Sequence, residues 1–257
     1  MNYDAATRGS LFKFLLQLGD DRLVLGHRLS EWCGHAPVLE EDIALTNIAL
    51  DEIGQSAAYL RLAGVIEGKD RDEDDLAYFR EATQFRNVQL VEQPNGDFAA
   101  TIARQFFFDV YDRLLLVELQ RSEEKQLADI SAKALKEATY HLRHSTEWML
   151  RMGRGTDESR ERLQSAVNDL WRFTGELFQL SEIERSLSTS GILPRLDTME
   201  AKWNRHVVDL LQSATLLVPT NDILMVSGSR SGKHGEHLGH LLAEMQIVAR
   251  SFPEAQW

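Results

Sequence analysis

Apolar residues recur at helical spacing along nearly the whole chain. Over residues 10–33, Leu11, Leu15, Leu18, Leu25 and Leu29 follow one another at intervals of three, four or seven and form a single stripe. The segment Gly34-His35-Ala36-Pro37 then breaks the pattern. A second helix is predicted from residue 39 to about 64, carrying Ile43, Leu45, Ile48, Leu50 and Ile53. Its first turn holds Glu40, Glu41 and Asp42, which suit the positive end of the helix dipole. Residues 69–75 (KDRDEDD) read as a solvated loop or a helix start, and residues 92–97 (EQPNGD) as a turn, by Pro and Asn-Gly. A third helix is expected from residue 98 to about 123. A fourth, from 124 to about 152, carries Leu127, Ile130, Leu135, Ala138, Leu142 and Trp148 and stops at Gly153 and Gly155. Shorter helices are expected at about 157–180 and 195–213, and a Gly/Ser-rich loop over 227–239 precedes a last helix to about 250.

This pattern predicts an all-α fold. Two pairs of long helices separated by a long connection is the plan of a four-helix bundle with one crossover, as in ferritin-like folds. The expectation is one ferritin-like domain over residues 1–257, with a core bundle at about 10–152 and additional C-terminal helices at about 157–250. The run Phe106, Phe107, Phe108 covers three faces of one turn, so at least one ring must meet another helix or another chain. An exposed apolar face involving the second and third long helices is expected on the same ground.

Composition sharpens the class. Hydrophobic residues at 43% allow a sizeable core, and 5 Pro and 16 Gly in 257 residues favour helix over sheet. A net charge of −12 argues against a nucleic-acid partner, which needs a basic face to neutralise phosphate. The single cysteine, Cys33, excludes an internal disulfide and suits a reducing compartment; it is expected to be packed rather than reactive. No stretch approaches the roughly 20 apolar residues of a membrane span, and the first residues lack a signal peptide's long apolar region. A soluble, cytoplasmic protein is expected.

A ferritin-like carboxylate site takes one acid from each of two helices and Glu-x-x-His from each of the other two, because i, i+3 spacing puts both side chains on one face. Neither the second nor the fourth helix carries a complete Glu-x-x-His. The second reads Asp51-Glu52-Ile53-Gly54-Gln55 and the fourth Lys136-Glu137-Ala138-Thr139-Tyr140-His141. Other candidates read as bland. His237 and His240 are i, i+3 and accompanied only by Glu236, which suits an exposed helix start or a contact with another chain. Arg230, Lys233 and His234 are candidate contacts for a phosphate, such as one of coenzyme A, but their loop lacks the Gly-x-x-x-x-Gly-Lys-Ser/Thr pattern.

The stretches LGDDRLVLGHRLSEWCGHAP, LVEQPNGDFAATIARQFF, ISAKALKEATYHLRHS and EHLGHLLAEMQ together resemble the C-type subunits of multicomponent bacterial phenylacetyl-CoA epoxidases, over nearly the whole chain. The resemblance implies a structural companion to a homologous catalytic A-type subunit, which carries the di-iron centre and reads Asp-Glu-x-Gly-His and Lys-Glu-Glu-x-Phe-His at the two motifs. Aligned on those motifs, Glu52, Asp109 and His141 are retained ligand positions. Gln55 replaces a histidine, Ala138 replaces a glutamate, and Arg22, beside Asp21, falls near the first-helix position. The implied site has no catalytic residues, no cofactor and no metal of its own. An inward-pointing Arg22 would supply a fixed charge that satisfies the remaining carboxylates.

The implied partners are the A-type subunit and the other epoxidase components, with no nucleic acid and no membrane; the isolated chain could form a homodimer. The rival readings are an active ferritin-like di-iron monooxygenase or metal-binding protein, which needs Glu-x-x-His twice, and an iron-storage protein, which needs a full set of acidic ferroxidase ligands.

Overall fold

The N-terminal helical stripe packs as its spacing predicts. In the computed structural model, which describes residues 3–220 and 223–255, helix α1 runs Ala5–Ser30, and Leu11, Leu15, Leu18, Leu25 and Leu29 are all buried. Asp4 caps it by accepting from the Thr7 N–H at 2.7 Å. Ten α-helices lie among the described residues, with no strand there. The fold is all-α, as expected of a ferritin-like protein.

The chain divides into two compact units. The first comprises residues 1–93, 180–190 and 228–257. It is built on α1 packed along α2 (Leu39–Glu67), with α3 (Glu73–Tyr78), α4 (Gln89–Glu92), α8 (Glu182–Thr189) and α10 (Glu236–Ser251). Helix α2 ends at Gly68, whose φ of 70° is the left-handed conformation that glycine adopts without strain. The second unit comprises residues 94–179 and 191–227. There α5 (Phe98–Leu119) packs along α6 (Lys125–Gly153), and α7 (Asp157–Trp171) and α9 (Met199–Ser213) pack on that pair.

Several expectations are revised. The 157–180 segment is α7 followed by a 3-10 turn at Gly175–Phe178, and the 195–213 helix starts at Met199. Phe106, Phe107 and Phe108 are all fully buried. Phe107 lies against Trp171 of α7 and Trp203 of α9, and Trp203 Nε1 donates to the Phe107 carbonyl at 3.0 Å. Phe107 therefore meets two other helices of its own chain, and none of the three rings is left at the surface. Cys33 is exposed rather than packed, because it falls in the turn after α1.

Candidate functional site

The first unit carries the two mutually bonded positions. Arg22 on α1 is fully buried, and its Nε donates to Gln55 Oε1 on α2 at 2.9 Å. Its Nη1 donates to the Leu18 carbonyl at 3.0 Å, and its guanidinium lies 4.8 Å from the Tyr59 ring centroid. Glu52 is buried one turn before Gln55, beside the Cα of Gly26 on α1, where an added Cβ would sit 3.3 Å from the Glu52 Cβ. Asp21, next to Arg22 in the chain, takes its hydrogen bonds from other segments. It turns to the C-terminal loop, where Arg230 clamps it with contacts of 2.9 and 2.7 Å, and it accepts from the Val88 N–H at 2.8 Å. Burial pushes the Asp21 carboxyl up, and the neighbouring Arg230 charge is the largest influence pulling it back. Its neighbour Asp20 is held in the same manner by Arg80, at 3.0 Å.

The second unit carries Asp109 and His141. Asp109 of α5 is buried and accepts from Gln105 Nε2 and from the Ser145 hydroxyl, each at 2.6 Å. His141 of α6 is buried one turn before Ser145, with a ring nitrogen within 4.8 Å of an Asp109 carboxylate oxygen. Ala138 is buried one turn before His141 and supplies no ligand atom.

A di-iron centre does not fit these residues. A guanidinium has no lone pair to offer a metal and stays charged at any protein pH. At Gln55 the amide oxygen, the only atom that could ligate, is already accepting from that guanidinium. Ala138, one turn before His141, offers only a methyl, which cannot ligate a metal.

Arg230, read as a candidate phosphate contact, is instead spent inside its own unit: besides Asp21 it donates to the Arg86 carbonyl at 2.6 Å. His234 Nε2 faces the Phe85 carbonyl at 3.0 Å, its Nδ1 lying 3.6 Å from buried Glu92. The loop is therefore a clasp that ties the segment after α3 to α1. His237 and His240 sit at the start of α10, with His240 exposed. Sequence reading missed the second-unit partners Gln105 and Ser145. Their i+4 spacing to Asp109 and from His141 was the available signal.

Among the described residues the protein is all-helical, and it buries a guanidinium bonded to an amide between two of its long helices. Residues 2–257 match the phenylacetic acid catabolic protein family, and the chain belongs to it. Over 247 residues it is 50% identical to the C component of the 1,2-phenylacetyl-CoA epoxidase of Escherichia coli (strain K12), covering 96% of this chain and 99% of that protein.

Proposed function

We propose that this chain is a structural, non-catalytic subunit of an oxygen-dependent phenylacetyl-CoA ring 1,2-epoxidase, binding and supporting a catalytic di-iron A-type subunit in phenylacetate catabolism. The observation that carries this reading is the 2.9 Å bond from buried Arg22 to Gln55, which spends two would-be ligand positions on each other. Glu52, Asp109 and His141 are then the retained half of a six-position pattern, and Arg22, Gln55 and Ala138 the lost half. Retained acids and imidazole keep value as a buried polar network, since removing one partner strands the others. The chain needs no cofactor of its own, and redox chemistry belongs to the partner. The similarity to a named component of an epoxidase supports membership of a multi-subunit enzyme. No helix among the described residues is long and apolar enough to cross a membrane, which with a lone cysteine fits a cytoplasmic enzyme.

The test pairs metal analysis with reconstitution. The purified chain should hold substoichiometric iron. Co-purified with the neighbouring gene products, it should be required for turnover of phenylacetyl-CoA while showing none alone. Stoichiometric iron in the isolated chain, or turnover by the isolated chain, would overturn the reading.

A further inference from the structure

The end of α1 and the first half of α10, both in the first unit, enclose a cavity of about 550 Å³. His27, Arg28 and Glu31 line it on one side, and His240 and Glu244 on the other. Each segment thus presents an imidazole and a carboxylate four residues apart, the spacing that puts two side chains on one helix face. The two segments are already joined beside the cavity, where Arg28 Nη2 donates to the His237 carbonyl at 3.1 Å.

The Arg28 charge is compensated within the cavity wall. Its Nη1 donates to Glu31 Oε1 at 2.8 Å, and its Nε and Nη2 donate to the Glu92 carbonyl at 3.2 and 3.0 Å. That pairing removes Glu31 from the donor set and leaves His27, His240 and Glu244. Among the described residues, none of these three side chains is held by a hydrogen bond or an ion pair. His27 is half-buried, and burial pushes its imidazole below the ordinary value. At neutral pH the ring is therefore uncharged and keeps the lone pair that a metal needs. His240 and Glu244 are exposed, so their side chains can rotate over the cavity toward the His27 ring. Two imidazoles and one glutamate, with water in the fourth position, is a donor set that zinc takes in tetrahedral geometry. Calcium and magnesium, which prefer about six or more oxygens, would find a single carboxylate here.

We propose that His27, His240 and Glu244 form a zinc site that ties α10 to the end of α1. The site goes beyond the proposed function and does not rest on it, because none of its residues belongs to the six positions compared with the di-iron pattern.

The test uses the full-length chain, freed of metal by a chelator and titrated with zinc chloride in a calorimeter. Saturable binding is expected, and the thermal midpoint should rise with zinc, because an ion held only by the folded chain stabilises it. His240→Ala and Glu244→Gln alter exposed side chains, so both variants should fold. Each should weaken zinc binding by more than about 100-fold, the upper end of what losing a group behind the ligands costs, and should abolish the rise in midpoint. Cys33→Ser, which removes the one thiol, and His141→Gln, in the second unit, should bind zinc as the wild-type chain does. Absence of saturable binding overturns the inference, as does binding indifferent to His240→Ala and Glu244→Gln, or binding lost in Cys33→Ser or His141→Gln. Failure of the proposed function registers elsewhere, in iron content and turnover.

Discussion

At the scale of single residues, the adjacent acids Asp20 and Asp21 explain why the C-terminal loop stays attached to α1. Both carboxylates are buried, and each is met by an arginine from a distant segment, Arg80 and Arg230. Burying a charge is costly unless it is paired and hydrogen-bonded. Arg230→Ala should therefore destabilise the fold by about 3–5 kcal/mol, the usual loss when one partner of a buried pair is removed. Urea unfolding at neutral pH measures this, and a double variant that also replaces Asp21 with Leu should recover most of it. Ordinary surface behaviour, a change under about 0.5 kcal/mol, would mean that the clasp does not hold the loop.

A second residue-scale expectation concerns acidity. Burial pushes the His27 imidazole below its ordinary 6.5. Above that value both folded and unfolded chains hold a neutral ring, so His27 adds no pH dependence. As pH falls through it, the unfolded chain takes up a proton that the folded chain resists, and stability declines. Unfolding midpoints measured at about pH 7.5 and about pH 5.5 should show this loss, and His27→Gln should make it smaller. An unchanged difference between the two midpoints in the variant would remove His27 as the cause.

Helices as elements divide into those whose stripe could be read and those whose stripe misleads. Helix α1 was legible because its leucines are both periodic and buried. Helix α6 was not. Its buried line runs Leu127, Ser131, Ala134, Ala138, His141, Ser145 and Met149, mostly small or polar, while Leu135, Leu142 and Trp148 lie at its half-exposed margins. A reading that follows the largest apolar residues picks the wrong side whenever a helix is buried through small and hydrogen-bonded groups. Helix α8 was missed although Ser181 and Glu184 form a reciprocal capping box, a signal that spacing alone carries. At the candidate site, the absence of a complete Glu-x-x-His from the second and fourth long helices could be read from the sequence. The direction of Arg22 and its bond to Gln55 could not, since a side chain's aim is set by packing.

Two glycines test the packing of elements with opposite signs. At Gly153, which ends α6, an added Cβ would stand 2.2 Å from the Ala214 carbonyl oxygen. That atom is backbone and cannot step aside, so Gly153→Ala should cost about 1–3 kcal/mol. Gly54 lies mid-helix with open space around it, so Gly54→Ala should stabilise by about 0.5–1 kcal/mol through helix propensity. Thermal melts of the two variants should move in opposite directions. A neutral Gly153→Ala would show that the contact between α6 and the end of α9 yields easily.

For the molecule as a whole, the proposed role separates assembly from chemistry, and one residue can discriminate between them. His141 is the retained position with the strongest claim to reactivity, being an imidazole beside a buried carboxylate. If this chain held a working metal centre, truncating that ring would remove a ligand and turnover would collapse. Under the structural reading no redox step passes through it, and His141→Ala should leave turnover by the assembled complex nearly intact. The expected penalty is stability, on the order of 1–3 kcal/mol for stranding the groups that His141 now satisfies. Assembly must be measured beside turnover, by co-elution of the partner chains, since an unfolded variant also abolishes activity. A conservative His141→Gln, which keeps a hydrogen-bonding group in the same space, guards against that outcome. Loss of turnover in both variants, with the complex still assembled and each chain folded, would place chemistry in this protein and reverse its assignment as a scaffold.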